Sequence, residues 1–194
     1  MPDILSKLFG SAGRVKLLRL FLFNQKQSFT LVEAAARAQV KEKEARRELA
    51  MLEQIKLVKQ VNRARALGVR FVLNDDFKYI AALQNLLLNA PELGGELYER
   101  VRRTGSIKLV VVCGVFMGEW DAPLDALIVG DKVNERMLRD RVRRIEAEVG
   151  KEIRYALLTS ESFFYRLNMN DHLLKDVFDY SHRIVHDKLQ IGLK

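Results

Sequence analysis

The segment Ile107-Lys108-Leu109-Val110-Val111-Val112-Cys113 sets the tightest constraint on how this chain folds. A strand that alternates polar and apolar residues can leave one face in water, whereas a near-continuous apolar run reads as a strand buried on both faces. A second run, Leu124 to Val129, and a third, Ile153 to Leu158, flank a helical pattern over Val133 to Val149, an alternation that predicts an α+β domain. The sole cysteine, Cys113, lies in the first run and reads as a small buried hydrophobe; one cysteine excludes an intrachain disulfide or cysteine-zinc framework.

Charge divides the chain unevenly. Residues 1–76 hold 15 Lys and Arg against 8 Asp and Glu, a net +7, while the remainder holds 18 against 17, a net +1. The first segment is therefore the candidate polyanion binder. Across 194 residues, 48% apolar and 30% charged content belongs to ordinary globular proteins, and the length accommodates two small domains. The longest apolar runs fall short of the roughly 20 residues a membrane helix needs. Met1-Pro2-Asp3 does not begin a basic, apolar leader. The expectation is a cytoplasmic protein without a membrane partner.

Within the basic segment, Ser11 is placed to cap a helix running through Val15, Leu18, Phe21 and Phe23. Thr30 is placed to cap a short alanine-rich helix from Leu31 to Ala38, Gln39-Val40 is a tight turn, and Lys41 to Gln54 repeats Ala45, Leu49 and Leu52 as one buried stripe. Lys43, Arg46 and Arg47 fall away from that stripe, where they can reach DNA bases or phosphates. The same charges also suit a solvated helix in which Glu42, Glu44 and Glu48 form local pairs. Leu57 to Arg63 and Val69 to Leu73 then read as a hairpin, with Arg63, Arg65 and Arg70 around it.

Leu31 to Val58, including Ala35, Val40, Arg46-Arg47-Glu48-Leu49, Leu52-Glu53 and Leu57-Val58, resembles the winged helix-turn-helix of prokaryotic transcriptional regulators. The resemblance implies that Thr30, Lys41, Lys43, Arg46, Arg47, Arg63, Arg65 and Arg70 bind double-stranded DNA. It also implies a homodimer, because regulators of this kind bind paired half-sites. Three positions depart from the pattern: Gln39 where a turn glycine is usual, Lys41 where a capping Ser or Thr is usual, and Lys56 where glycine often precedes the wing strand.

The later half, with Cys113-Gly114-Val115-Phe116-Met117-Gly118 followed by Asp125-Ala126-Leu127-Ile128-Val129, resembles the minimal nucleotidyltransferase domain of the DNA polymerase β superfamily. That family carries a Gly-Ser turn for a nucleotide phosphate and an Asp-x-Asp strand for Mg²⁺. In this chain Gly114 matches the glycine, Val115 replaces the serine, and Pro123 stands where the first aspartate belongs. Gly114, Gly118 and Asp125 then mark a vestigial nucleotide site with no catalytic residue, metal or cofactor, and nucleotide binding without catalysis is a lesser expectation.

Those readings give a winged helix over residues 1–76, connecting helices over 77–104 and a small mixed-sheet, nucleotidyltransferase-like domain with C-terminal helices over 105–194. The expected function is a DNA-binding transcriptional regulator whose second domain is a silent sensor or assembly module. An active nucleotidyltransferase modifying protein or RNA, and a winged-helix protein-interaction module, are the alternatives. His182 and His186 have the i, i+4 spacing of ligands on a helix, but no suitably spaced partner completes a metal set.

Overall fold

The computed structural model describes residues 4–62 and 68–191. They form two compact units, one made of the described residues up to Leu88 together with Arg143–Glu152, the other of Asn89–Val142 and the described residues from Ile153 onward. The fold class is α+β, as the alternation of patterns predicts.

In the first unit a short helix α1 (Ile4–Leu8) precedes α2 (Ala12–Leu22). Ser11 caps α2, its hydroxyl accepting from the Arg14 N–H at 3.1 Å. This satisfies one of the amide donors that every helix start leaves open. Leu17, Leu18, Phe21 and Leu22 then enter the core almost without exposure.

Thr30 opens α3 (Leu31–Ala38) with a capping box: its hydroxyl accepts from Glu33 N–H at 3.2 Å, and its own N–H donates to the Glu33 carboxylate at 2.8 Å. The following helix α4 (Glu42–Gln54) buries Ala45, Leu49 and Leu52, the expected stripe, against a core shared with α2 and α3. A two-residue strand β1 (Ser28–Phe29), not expected from the sequence, joins a hairpin of β2 (Val58–Asn62) and β3 (Val69–Leu73). The sheet order is β1-β3-β2, all antiparallel, with Phe29 opposite Phe71 and Val58 opposite Leu73. Helix α5 (Ile80–Leu87) returns Leu87 to the same core.

The departures from the usual helix-turn-helix residues have a visible backbone counterpart. Gln39 ends α3 at φ 50° and ψ 50°, and Lys56 precedes β2 at φ 62°, both in the left-handed region. Lys41 stands at the N-cap of α4 without a side-chain cap bond. The left-handed conformation costs an L residue roughly 1–2 kcal/mol that glycine does not incur, offset in part by the greater freedom of glycine in the unfolded chain. Gln39→Gly is therefore expected to stabilise the protein by about 0.5 kcal/mol, read as a higher urea midpoint at unchanged slope, with Gln39→Ala giving no gain.

The second unit starts with α6 (Ala90–Val101) and a 3₁₀ turn, Arg102–Thr104. Strands β4 (Ser106–Val112), β5 (Ala126–Asp131), β6 (Tyr155–Leu158) and β7 (Arg183–Asp187) form one mixed sheet in the order β6-β5-β4-β7. β4 is interior, antiparallel to β5 and β7, and β5 runs parallel to β6 after a crossover that contains α7 (Glu135–Val149). Its interior place accounts for the continuous apolar run. Leu109 and Val111 face a cluster with Phe163 of α8 (Ser160–Asn168) and Leu174 and Val177 of α9 (His172–Asp179). Successive strand residues alternate faces, so Val110 and Val112, both fully buried, turn to the side on which α6 also meets β4.

β7 pairs with β4 at the edge of this sheet, with His186 opposite Val110. The helical spacing expected for His182 and His186 is thereby corrected. His186 lies on a strand and stacks on the Tyr98 ring at 3.6 Å between centroids, while His182 precedes that strand.

Candidate functional site

Cations collect on the exposed side of α4 because its other side is occupied by Ala45, Leu49 and Leu52. Lys41, Lys43, Arg46 and Arg47 are all exposed. Among the described residues, Lys43 and Arg46 enter no ion pair or side-chain hydrogen bond. The local pairing that would make them a neutralised helix face is not formed.

Glu48 explains part of this. Although its helix spacing is that of a surface acid, it is buried and its carboxylate accepts from Arg14 Nε of α2 and from Arg47 Nη2, each at 2.8 Å. Burial raises the Glu48 carboxyl, and hydrogen bonds from Arg14 and Arg47, with the Arg14 charge, outweigh it and hold the group below its ordinary value. Arg14 also donates to Phe9 O at 2.8 Å, so this ion pair joins α2, α4 and the chain before α2. Arg47 belongs partly to that internal set.

Arg70, expected as a wing contact, is committed elsewhere. Its guanidinium donates to Ser28 Oγ at 2.8 Å, Ser28 O at 2.6 Å and the Glu33 carboxylate at 2.7 Å, tying β3 to β1 and to the start of α3. The Thr30 N–H, followed by the Arg70 guanidinium, holds Glu33 below the ordinary carboxylate value. Thr30 itself is the cap of α3. Arg63 and Arg65 lie outside the described residues. The cationic surface of α4 thus reduces to Lys41, Lys43 and Arg46, with Arg47 at its margin.

In the second unit, Gly114 begins a 3₁₀ turn, Gly114–Met117, that Gly118 closes at φ 83°. Gly114 has φ 51°, and a Cβ there would lie 2.5 Å from Leu124 O as well as against the Asp125 carboxylate. Only glycine lets the turn approach Asp125 so closely. Asp125 is fully buried, and its carboxylate accepts from Val115 N–H at 3.0 Å, Arg154 N–H at 2.8 Å, Arg154 Nε at 2.9 Å and Arg154 Nη2 at 2.9 Å. A carboxylate offers about four lone-pair directions. All are taken by donors of this chain. Its backbone is also engaged, with Asp125 O accepting from Cys113 N–H and Asp125 N–H donating to Arg154 O.

No family model, curated protein or solved structure matches the chain.

The chemistry available to each place therefore follows from its own geometry. At Gly114 and Asp125, the Val115 amide that would face a phosphate donates to Asp125 instead, and the carboxylate that would hold a cation is saturated by Arg154. Hydrogen bonds to Asp125 outweigh burial and raise the Arg154 guanidinium further above its ordinary value. Burial, then the neighbouring Asp125 and Glu119 charges, pushes the Cys113 thiol up to about 12, so it is not a thiolate nucleophile near neutral pH. Among the described residues no group of three His, Cys, Asp or Glu side chains could hold a metal ion. No helix of the described residues is long and apolar enough to cross a membrane.

Arg14 and Arg154 are the residues that the sequence reading missed. Arg14 pairs with a carboxylate 34 positions away and Arg154 with one 29 positions away. Neither partner is visible in local spacing.

Proposed function

We propose that the protein is a DNA-binding transcriptional regulator, with a winged helix as its reading unit and a nucleotidyltransferase-like second unit that carries no chemistry. One observation bears most of this reading: the exposed side of α4, read as the second helix of a helix-turn-helix, presents Lys43 and Arg46 with no ion pair or side-chain hydrogen bond among the described residues. An unpaired cation on a helix sized for the major groove is available to phosphates and to guanine edges. The net +7 of residues 1–76 and the hairpin that follows α4 support the same assignment.

Asp125 supports the silent second unit. A carboxylate that already accepts four hydrogen bonds, with Arg154 against it, serves as an internal clamp between the 3₁₀ turn, β5 and the residue preceding β6 by one position.

A protein-interaction role for the first unit is favoured by a different feature. Between α4 and the hairpin lies a cleft of about 310 Å³ walled by Leu31, Arg46, Ala50, Val69 and Phe71. On its rim the Glu53 carboxylate accepts from Gln60 Nε2 at 2.9 Å. A groove with apolar walls and both a guanidinium and a carboxylate at its edge can seat a peptide segment.

Selection of sheared genomic DNA on the purified full chain separates the two. The regulator reading expects a small set of enriched sites sharing one sequence element. Recovery of no enriched duplex at low salt rejects it in favour of the peptide groove.

A further inference from the structure

A second cleft of the first unit, about 350 Å³ in volume, is lined by Arg37, Gln39, Arg143, Glu146, Lys151 and Glu152 among others. Its volume lies in the range of small-molecule sites. One wall is held firmly. Gly150 has φ 82° and comes so close to α2 that a Cβ would sit 2.5 Å from the carbonyl carbon of Arg19, while its carbonyl accepts from Asn24 Nδ2 at 2.6 Å. The segment carrying Lys151 and Glu152 is thereby fixed, so the cleft needs little ordering before it takes a ligand.

The guanidinium of Arg37 is only loosely satisfied. Its Nη1 and Nη2 stand 3.3 and 3.4 Å from one and the same oxygen of Glu152, whose side chain is 70% exposed. A well-made guanidinium-carboxylate pair uses both oxygens at about 2.8 Å. Arg143, on α7, is exposed and has no ion pair among the described residues. Two guanidinium groups, one with no partner and the other under a long single-oxygen contact, line the same cleft.

We propose that this cleft binds a small molecule bearing a carboxylate or phosphate, held by Arg37 and Arg143, with Glu152 displaced from Arg37. Planar guanidinium donors suit both oxyanions, and the exposed Glu152 carboxylate is the internal stand-in for either. Resting on the DNA-binding reading, the site is also regulatory. Arg37 lies in the last turn of α3 and Gln39 is the left-handed link into α4, so a ligand held there acts on the connection that presents Lys43 and Arg46.

The test follows amide resonances of the full chain during titration with sodium citrate or sodium phosphate at constant ionic strength, with chloride as the reference. Saturable shifts at residues 37–40 and 150–152 are expected with at least one of the two, and the stronger arm distinguishes a carboxylate ligand from a phosphate ligand. Arg37→Ala combined with Arg143→Ala is expected to weaken that binding at least about tenfold. Glu152→Gln is expected to tighten it, which loss of folding cannot imitate. Arg139→Ala removes the same charge from α7 outside the cleft and is expected to change nothing. Absence of saturation with both anions, equal weakening by Arg139→Ala, or no tightening by Glu152→Gln overturns the site. None of these arms uses DNA, so failure of the site and failure of the DNA-binding reading are separate results. For a chain that does bind duplex, saturating anion should shift its affinity by about fivefold or more, and an unchanged affinity overturns the regulatory role.

Discussion

Asp125→Ala is expected to lower the stability of the protein by about 3 kcal/mol. The substitution removes the acceptor of four hydrogen bonds, strands the Val115 and Arg154 amides, and leaves the Arg154 guanidinium without its counter-charge. Breaking a buried pair by removing one partner costs roughly 3–5 kcal/mol. The lower end applies because the Arg154 side chain is 38% exposed and its stranded charge is partly hydrated. Asp125→Asn keeps the shape without the charge and recovers part of the loss. Urea unfolding of the full chain measures both. A carboxylate kept for metal or phosphate chemistry behaves in the opposite way, since neutralising an active-site charge commonly leaves stability unchanged or raises it. An Asp125→Ala protein as stable as the parent would therefore return Asp125 to the candidate catalytic groups.

On the proposed DNA-binding reading, Lys43→Ala combined with Arg46→Ala is expected to reduce duplex affinity by about tenfold or more at 100 mM salt and to lower the salt slope by about 2. Both side chains are exposed and enter no ion pair among the described residues, so stability should stay within about 0.5 kcal/mol of the parent. Arg47→Ala should have a smaller effect on DNA, because its guanidinium is shared with Glu48. Fluorescence anisotropy with a labelled duplex reads all three. Equal affinity of the double variant and the parent would remove α4 as the reading surface.

Local chemistry was legible in the sequence wherever it acts over a few residues. Ser11 and Thr30 were read as caps and their hydroxyls accept from Arg14 N–H and Glu33 N–H. Ala45, Leu49 and Leu52 were read as one stripe and are buried. The apolar run before Cys113 signalled an interior strand, and β4 has a neighbour on each side. Relationships across distant segments were not legible. Glu48 looked like any helix-surface acid because its partner Arg14 sits on another helix. Arg70 looked like a wing cation, although Ser28 and Glu33 hold it. At Asp125 the motif suggested a remnant of a nucleotide site, while Arg154, outside the motif, determines what that carboxylate can do. Strand β1 has only two residues and no period of its own; it exists because β3 offers a partner. Gln39 and Lys56 were visible as unusual residues at turn positions, yet their left-handed φ values are properties of the folded backbone.

The central claim, that the α4 surface binds DNA, is tested most directly by the affinity of the purified full chain for duplex between 50 and 200 mM salt. The account predicts a linear fall of log affinity with log salt, and a slope that becomes shallower by about 2 when Lys43 and Arg46 are both alanine. Affinity too weak to measure at 50 mM salt, or a slope identical in parent and double variant, would contradict it.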